Sequence, residues 1–132
     1  MLAIGASGEA SFTVQFGDTA RGLSRSVKDD FPEVLASSRM IALMELAAAR
    51  LMKPMLGPGQ VSVGIGMDVR HDAATPVGSV VRAVALYQGK FERVHRFDVE
   101  AFDEAGSIGE GVHTRAIVVT ERLLASAERR KR

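Results

Sequence analysis

Cysteine is absent from the 132 residues, which removes disulfide staples, thiolate nucleophiles and thiolate metal sites together. A chain of that kind suits a reducing cytoplasm. An excess of one charge is missing too: 17 basic against 16 acidic side chains leave a formal net charge of +1. That balance creates no field able to gather nucleic acid or an anionic membrane. The one basic run, Arg129 to Arg132, reads as a solvated helix end. No stretch approaches the ~20 apolar residues of a membrane helix. Met1 to Gly8 lacks the basic and apolar regions of a secretory leader. Neither a repeat nor a low-complexity linker interrupts the chain. The expectation is a single cytoplasmic domain over 1–132, with no nucleic-acid or membrane partner.

Apolar residues make up 46% of the chain, enough for one hydrophobic core. Residues 10–16 alternate, with Phe12, Val14 and Phe16 on one side, which predicts a strand. Residues 17–33, with Gly17, Gly22 and Asp29-Asp30-Phe31-Pro32, predict an irregular loop long enough to serve as a lid. Residues 38–53 predict the one strong helix. Met40, Met44, Ala47 and Leu51 form a stripe there, flanked by Ile41, Ala48 and Met52. Ser37 or Ser38 is placed to cap it, and Pro54, Gly57, Pro58 and Gly59 end it. A helix apolar around most of its girth must be wrapped by something.

The remainder reads as strands over 61–71, 80–87, 91–102 and 108–119. Turns are expected at 73–78, 88–90 and 103–106, and a short polar helix over 121–132. One helix wrapped by one curved antiparallel sheet is an α+β arrangement, and the hotdog fold has this element order.

Two residues break the apolar pattern. Glu45 lies mid-helix, about 40° round from Ile41 and about 20° from Met52 at ~100° per residue. It either points out at the edge of the stripe or faces the sheet. His71 continues the odd-numbered series Val61, Val63, Ile65, Met67 and Val69, so alternation aims it at the same side. It is either a satisfied core residue or a partner for Glu45. A carboxylate beside an imidazole is a general acid/base pair titrating near neutrality. Ser37, at the helix start, either caps the helix or touches substrate, where free backbone N–H groups suit an oxyanion. Ser37 and Glu45 are eight residues apart, ~12 Å along a helix at ~1.5 Å per residue. They reach one reacting carbon together only if Ser37 lies off the helix. Gly64 and Gly66 read as the even face of their strand, open to a ligand or partner strand. His95 and His113 read as structural or exposed. The three histidines have no metal-ligand spacing, and no metal or cofactor is expected.

Phe-Pro-Glu-Val-Leu-Ala-Ser (31–37), Met-Ile-Ala-Leu-Met-Glu (40–45) and His-Asp-Ala-Ala-Thr-Pro-Val-Gly (71–78) together resemble the fluoroacetyl-CoA thioesterase family of hotdog proteins. The likeness runs from about residue 9 to 120 and includes Gly-Glu-Gly-Val-His-Thr-Arg-Ala (109–116). It implies a Thr–Glu–His triad whose Glu falls on Glu45 and His on His71, with Ser37 at the Thr position. It also implies a site glycine at Gly64 and a lid phenylalanine at Phe31, a second lid phenylalanine being replaced by Lys28. The implied activity is hydrolysis of a small acyl-CoA by a homodimer, with a tetramer left open. Glu45 would be nucleophile or general base, Ser37 a hydrogen-bonding partner, and His71 the acid/base. Arg39, Arg70 and Arg115 are the candidates for the CoA phosphates. A hotdog dehydratase and a non-catalytic acyl-CoA-binding module are the alternatives, separated from hydrolysis by product analysis.

Overall fold

The computed structural model describes residues 2–131. Its elements are β1 (Ser7–Thr13), α1 (Ser37–Met52), β2 (Gln60–His71), β3 (Val80–Phe91), β4 (Val94–Asp103), β5 (Gly106–Val119) and α2 (Thr120–Arg129). The five strands form one antiparallel sheet in the order β1-β3-β4-β5-β2. It curls around α1, the arrangement expected from the element order.

The helix is held by its apolar girth. Met40, Leu43, Met44, Ala47, Ala48 and Met52 are all buried, which is the i, i+3, i+4 pattern continued over four turns. Each fully buried methionine or leucine contributes roughly 1.5–3 kcal/mol. The alanines let the sheet approach closely: a Cβ on Gly8 of β1 would collide with the Ala47 carbonyl. Val81, Ala83, Ala85, Phe97, Val99 and Ala101 supply the facing layer from β3 and β4.

Three local expectations are corrected. First, β1 begins and ends three residues early, because Phe16–Asp18 turns as a 3-10 helix whose Asp18 carboxylate takes the Gln15 N–H. Phe12 and Val14 keep the inward face, while Phe16 turns out to solvent. Second, the stretch after it is ordered rather than irregular. Ala20 and Arg21 donate to Val34 and Pro32, Ala36 donates to Asp18, and buried Thr19 bridges to Leu35. Third, residues 88–90 belong to β3. Gly89, at φ 106°, absorbs a bulge there, and the chain reverses at Glu92-Arg93 with Glu92 at φ 57°.

Candidate active site

The helix start is not capped by serine. Ala36 is the N-cap and has no side chain to offer, so Ser37 is the first helical residue. Its hydroxyl instead crosses to β2, where Ser37 Oγ lies 2.7 Å from His71 Nδ1. His71 is the last residue of β2, paired with Gly109 of β5, and the sheet holds its ring against the helix start. A serine hydroxyl donating to Nδ1 leaves that nitrogen ready to accept its proton, the relation between a nucleophile and its base. The other ring nitrogen, Nε2, is buried and makes no hydrogen bond among the described residues. Groups left in that state recur at catalytic positions.

Ser37 and His71 form one wall of a cleft of about 300 Å³. Ala20, Pro32, Val34, Leu35, Ala36, Asp72, Ala73 and Ala74 complete it. The loop carrying Ala73 and Ala74 is anchored by buried Thr75, which donates to Asp103 at 2.8 Å and accepts from the Leu35 N–H through its carbonyl. Apart from Ser37, His71 and Asp72 the lining is small and apolar, and the amino end of α1 opens into it. That combination suits a short acyl group whose carbonyl oxygen becomes an oxyanion.

Glu45 stands elsewhere. Its side chain is 42% exposed and lies 3.6 Å from Nη1 of Arg115, which is buried. Arg115 also donates to the Ser62 hydroxyl at 3.1 Å, the Ser62 carbonyl at 2.9 Å and His113 Nε2 at 3.2 Å. His113 Nδ1 in turn donates to the Gly66 carbonyl at 2.8 Å, which fixes the neutral tautomer. Burial lowers the His113 pKa, the Gly66 carbonyl raises it, and the Arg115 charge lowers it further. Burial also lowers the Arg115 pKa, against the pull of Glu45. Nearby, Tyr87 OH lies 2.8 Å from His95 Nδ1, both buried. Burial raises the tyrosine pKa, and burial, then Lys90, lowers that of His95.

A bulge explains how strand β2 serves both places. The register with β5 shifts between Gly64 and Gly66, leaving Ile65 unpaired and 53% exposed. One inserted residue exchanges the two faces of a strand. Met67, Val69 and His71 therefore face the helix beyond the bulge, whereas Ser62 and Gly64 face it before the bulge. The single odd-numbered face expected from the sequence is thus two half-faces. Gly64 is on the helix side, and a Cβ there would overlap the Glu45 carboxylate and crowd His113.

The structure brings Ser37 and His71 together, and Glu45 and Gly64 together, but the two pairs sit at different places along α1. Met40, between them on the helix, packs on Gly109 beside His71. Phe31 is 48% exposed and lines a separate hollow of about 280 Å³ with Arg21 and Val27, one residue before the cleft's Pro32. Lys28 lies in the 3-10 turn Val27–Asp29 beside that hollow. Arg39 pairs with Asp18 at 3.6 Å and Arg70 with Glu110 at 2.9 Å, so none of the three arginines suggested for phosphates is uncommitted. The Ser62–Arg115–His113 network was missed from sequence because β5 mixes Val112, Ala116 and Val118 on one face with His113, Arg115 and Ile117 on the other. Alternation alone does not pick the inner one. Among the described residues no three His, Asp or Glu side chains cluster as metal ligands.

Comparison with known proteins adds four findings. A family profile described as fluoroacetyl-CoA-specific thioesterase matches residues 14–121. A fluoroacetyl-CoA thioesterase from Streptantibioticus cattleyicolor is 39% identical over 101 residues, 76% of this chain and 73% of that protein. A solved structure of the fluoroacetyl-CoA thioesterase FlK superposes with a TM-score of 0.93 at 34% identity, covering 100% of this chain and 99% of the other. A hot-dog-like protein from Thermanaerovibrio acidaminovorans, 21% identical, shares the fold over 99% of this chain and 95% of its own at a TM-score of 0.83.

Proposed function

The chain belongs to the fluoroacetyl-CoA-specific thioesterase family and is an acyl-CoA thioesterase of that type, and from this premise we propose that it hydrolyses a small acyl-CoA at the Ser37–His71 cleft. The 2.7 Å contact between Ser37 Oγ and His71 Nδ1 carries the reading. Membership in a thioesterase family favours hydrolysis over the dehydratase and binding-only alternatives.

The thioester carbonyl enters the cleft with its oxygen at the uncapped N–H groups of α1. His71 Nδ1 takes the hydroxyl proton as Ser37 Oγ attacks the carbonyl carbon. The C–S bond breaks, and the CoA thiolate leaves with little acid assistance, since thiols ionise near pH ~8.5. Water then attacks the acyl-serine, its proton passing to the Glu45 carboxylate of a second copy, while the protonated His71 returns the serine's proton to Oγ. The acid is released and Ser37 is regenerated.

Glu45 enters this site from a second copy. It is eight residues from Ser37, ~12 Å along one helix, too far for both to touch one carbon within a chain. β2 is an edge strand of twelve residues whose outer N–H and C=O groups are unpaired in the sheet. Such an edge favours pairing with another strand. Gly64 lies on it, with the Glu45 carboxylate against that glycine. In the homodimer we propose, the β2 edges meet, and Glu45 of each copy, held by Arg115, faces the Ser37–His71 cleft of the other. There it activates the hydrolytic water. A second reading, direct attack by Glu45 on the carbonyl, is favoured by its half-exposed carboxylate. Gly64 leaves the space that this carboxylate fills, and Phe31, one position before the cleft's Pro32, borders the acyl group from the neighbouring hollow. We place this single-domain enzyme in the cytoplasm, the compartment suited to its substrate and its lack of cysteine.

The test is thiol release from acetyl-, branched, aromatic and halogenated acyl-CoAs, with wild type, Ser37→Ala and His71→Ala. Turnover of a small acyl-CoA that collapses in both variants supports the reading. Wild-type rates in either variant would overturn it. Mass analysis of the quenched enzyme separates the two chemistries, acyl on the Ser37 peptide against acyl on the Glu45 peptide.

A further inference from the structure

Arg39, Arg70 and Arg115 are each set against an acid, so cations without an acidic partner are the next candidates to meet CoA's phosphates. Arg93 and Arg122 form no ion pair among the described residues and line one groove of about 460 Å³. Both are exposed. Arg93 sits in the β3–β4 turn, whose backbone is set by Glu92 at φ 57°. Arg122 sits in the first turn of α2, whose start is tied by the Thr120 N–H donating to the Gly59 carbonyl at 2.9 Å. Ile117, Val119 and Leu123 supply an apolar wall, and Gln60 a polar edge.

The groove is aligned with the Glu45–Arg115 cluster, which in the proposed dimer faces the Ser37–His71 cleft of the other copy. Ile117 pairs with Ser62, the residue that holds Arg115, and lies two positions from Arg115 on β5. From Gly64, beside Glu45, to Gln60 is four residues of β2, ~13 Å at ~3.3 Å per residue. An extended pantetheine arm covers that span. The groove therefore offers two cations and an apolar wall at the distance where CoA's phosphates and adenine fall, when its thioester lies beside Glu45.

We infer that this groove binds the phosphorylated nucleotide end of CoA, Arg93 and Arg122 contacting its phosphates and the Ile117–Leu123 wall lying against adenine. The inference rests on the thioesterase reading of the Ser37–His71 cleft. Guanidinium forks suit phosphate oxygens, and the contacts act on substrate binding rather than on the reacting carbon.

The test compares one acyl group carried on CoA and on pantetheine, which lacks the nucleotide. In the Arg93→Ala/Arg122→Ala protein the ratio of kcat/KM for acyl-CoA to that for acyl-pantetheine should fall about tenfold or more, the loss of two charge-assisted hydrogen bonds. Arg129→Ala/Arg130→Ala, outside the groove, should keep the wild-type ratio. A wild-type ratio in the groove variant overturns the inference. Calorimetry with phosphoadenosine diphosphate, the nucleotide fragment of CoA, needs no turnover and stands if hydrolysis itself is not found. Binding weakened by about tenfold in the groove variant supports the groove, and equal binding to both proteins overturns it.

Discussion

The two polar clusters along α1 are built in opposite ways. At the amino end, Ser37 and His71 make one hydrogen bond, leave Nε2 of the imidazole without a partner among the described residues, and border an open cleft. Near mid-helix, Arg115 donates to three acceptors and faces Glu45 as well, with His113 locked between it and a backbone carbonyl. The first arrangement leaves a proton free to move. The second immobilises a cation, which holds one carboxylate in place. A cleft with a mobile proton does chemistry, whereas a pinned ion pair positions a group for it.

Substitutions can separate the two clusters. The largest effect is expected at the amino end: Ser37→Ala or His71→Ala should lower kcat about 10²–10⁴-fold, read by thiol release. Circular dichroism should show both proteins folded, since Ser37 is exposed and neither change empties the core. Next comes the hydrocarbon between the clusters. Met44 is fully buried, and Met44→Ala should cost about 2–5 kcal/mol in urea unfolding. Gly64→Ala puts a Cβ where the Glu45 carboxylate lies, so kcat/KM should fall up to about 10²-fold. Wild-type kcat/KM in that variant would remove Glu45 from the site.

The smallest effect is a pH dependence of stability. His113 and His95 have pKa values lowered in the fold, burial being the main cause for each. The unfolded chain therefore takes up protons first, from about pH 6.5 downward. The neutral rings contribute stability that is complete above that pH and eroded as the pH falls toward the folded values. Thermal melts of wild type should fall in Tm below about pH 6.5, and His113→Asn should flatten that slope.

The central helix was legible because methionines and alanines at i, i+3, i+4 spacing leave no other reading. Its wrapping by one sheet followed from the absence of a second apolar helix. The segments around Ser37, Glu45 and His71 were legible as a resemblance. What alternation misread was β2: a single extra residue, Ile65, exchanges the strand's faces, and the flanking glycines that permit it read equally well as an open face. The partnership of Ser37 with His71, rather than with the helix N–H groups, was hidden for a different reason. Thirty-four residues separate the two, and only the packing of α1 against β2 brings them together. The buried arginine was hidden because its partners lie on three different elements.

Mixing two inactive proteins tests most directly whether the two clusters belong to one site shared between copies. Ser37→Ala and Glu45→Gln are each expected to be inactive alone. After subunit exchange, a mixed dimer holds one cleft with an intact Ser37–His71 pair facing an intact Glu45, so thiol release should return. Mixed dimers verified by native mass spectrometry that remain inactive would contradict the shared site.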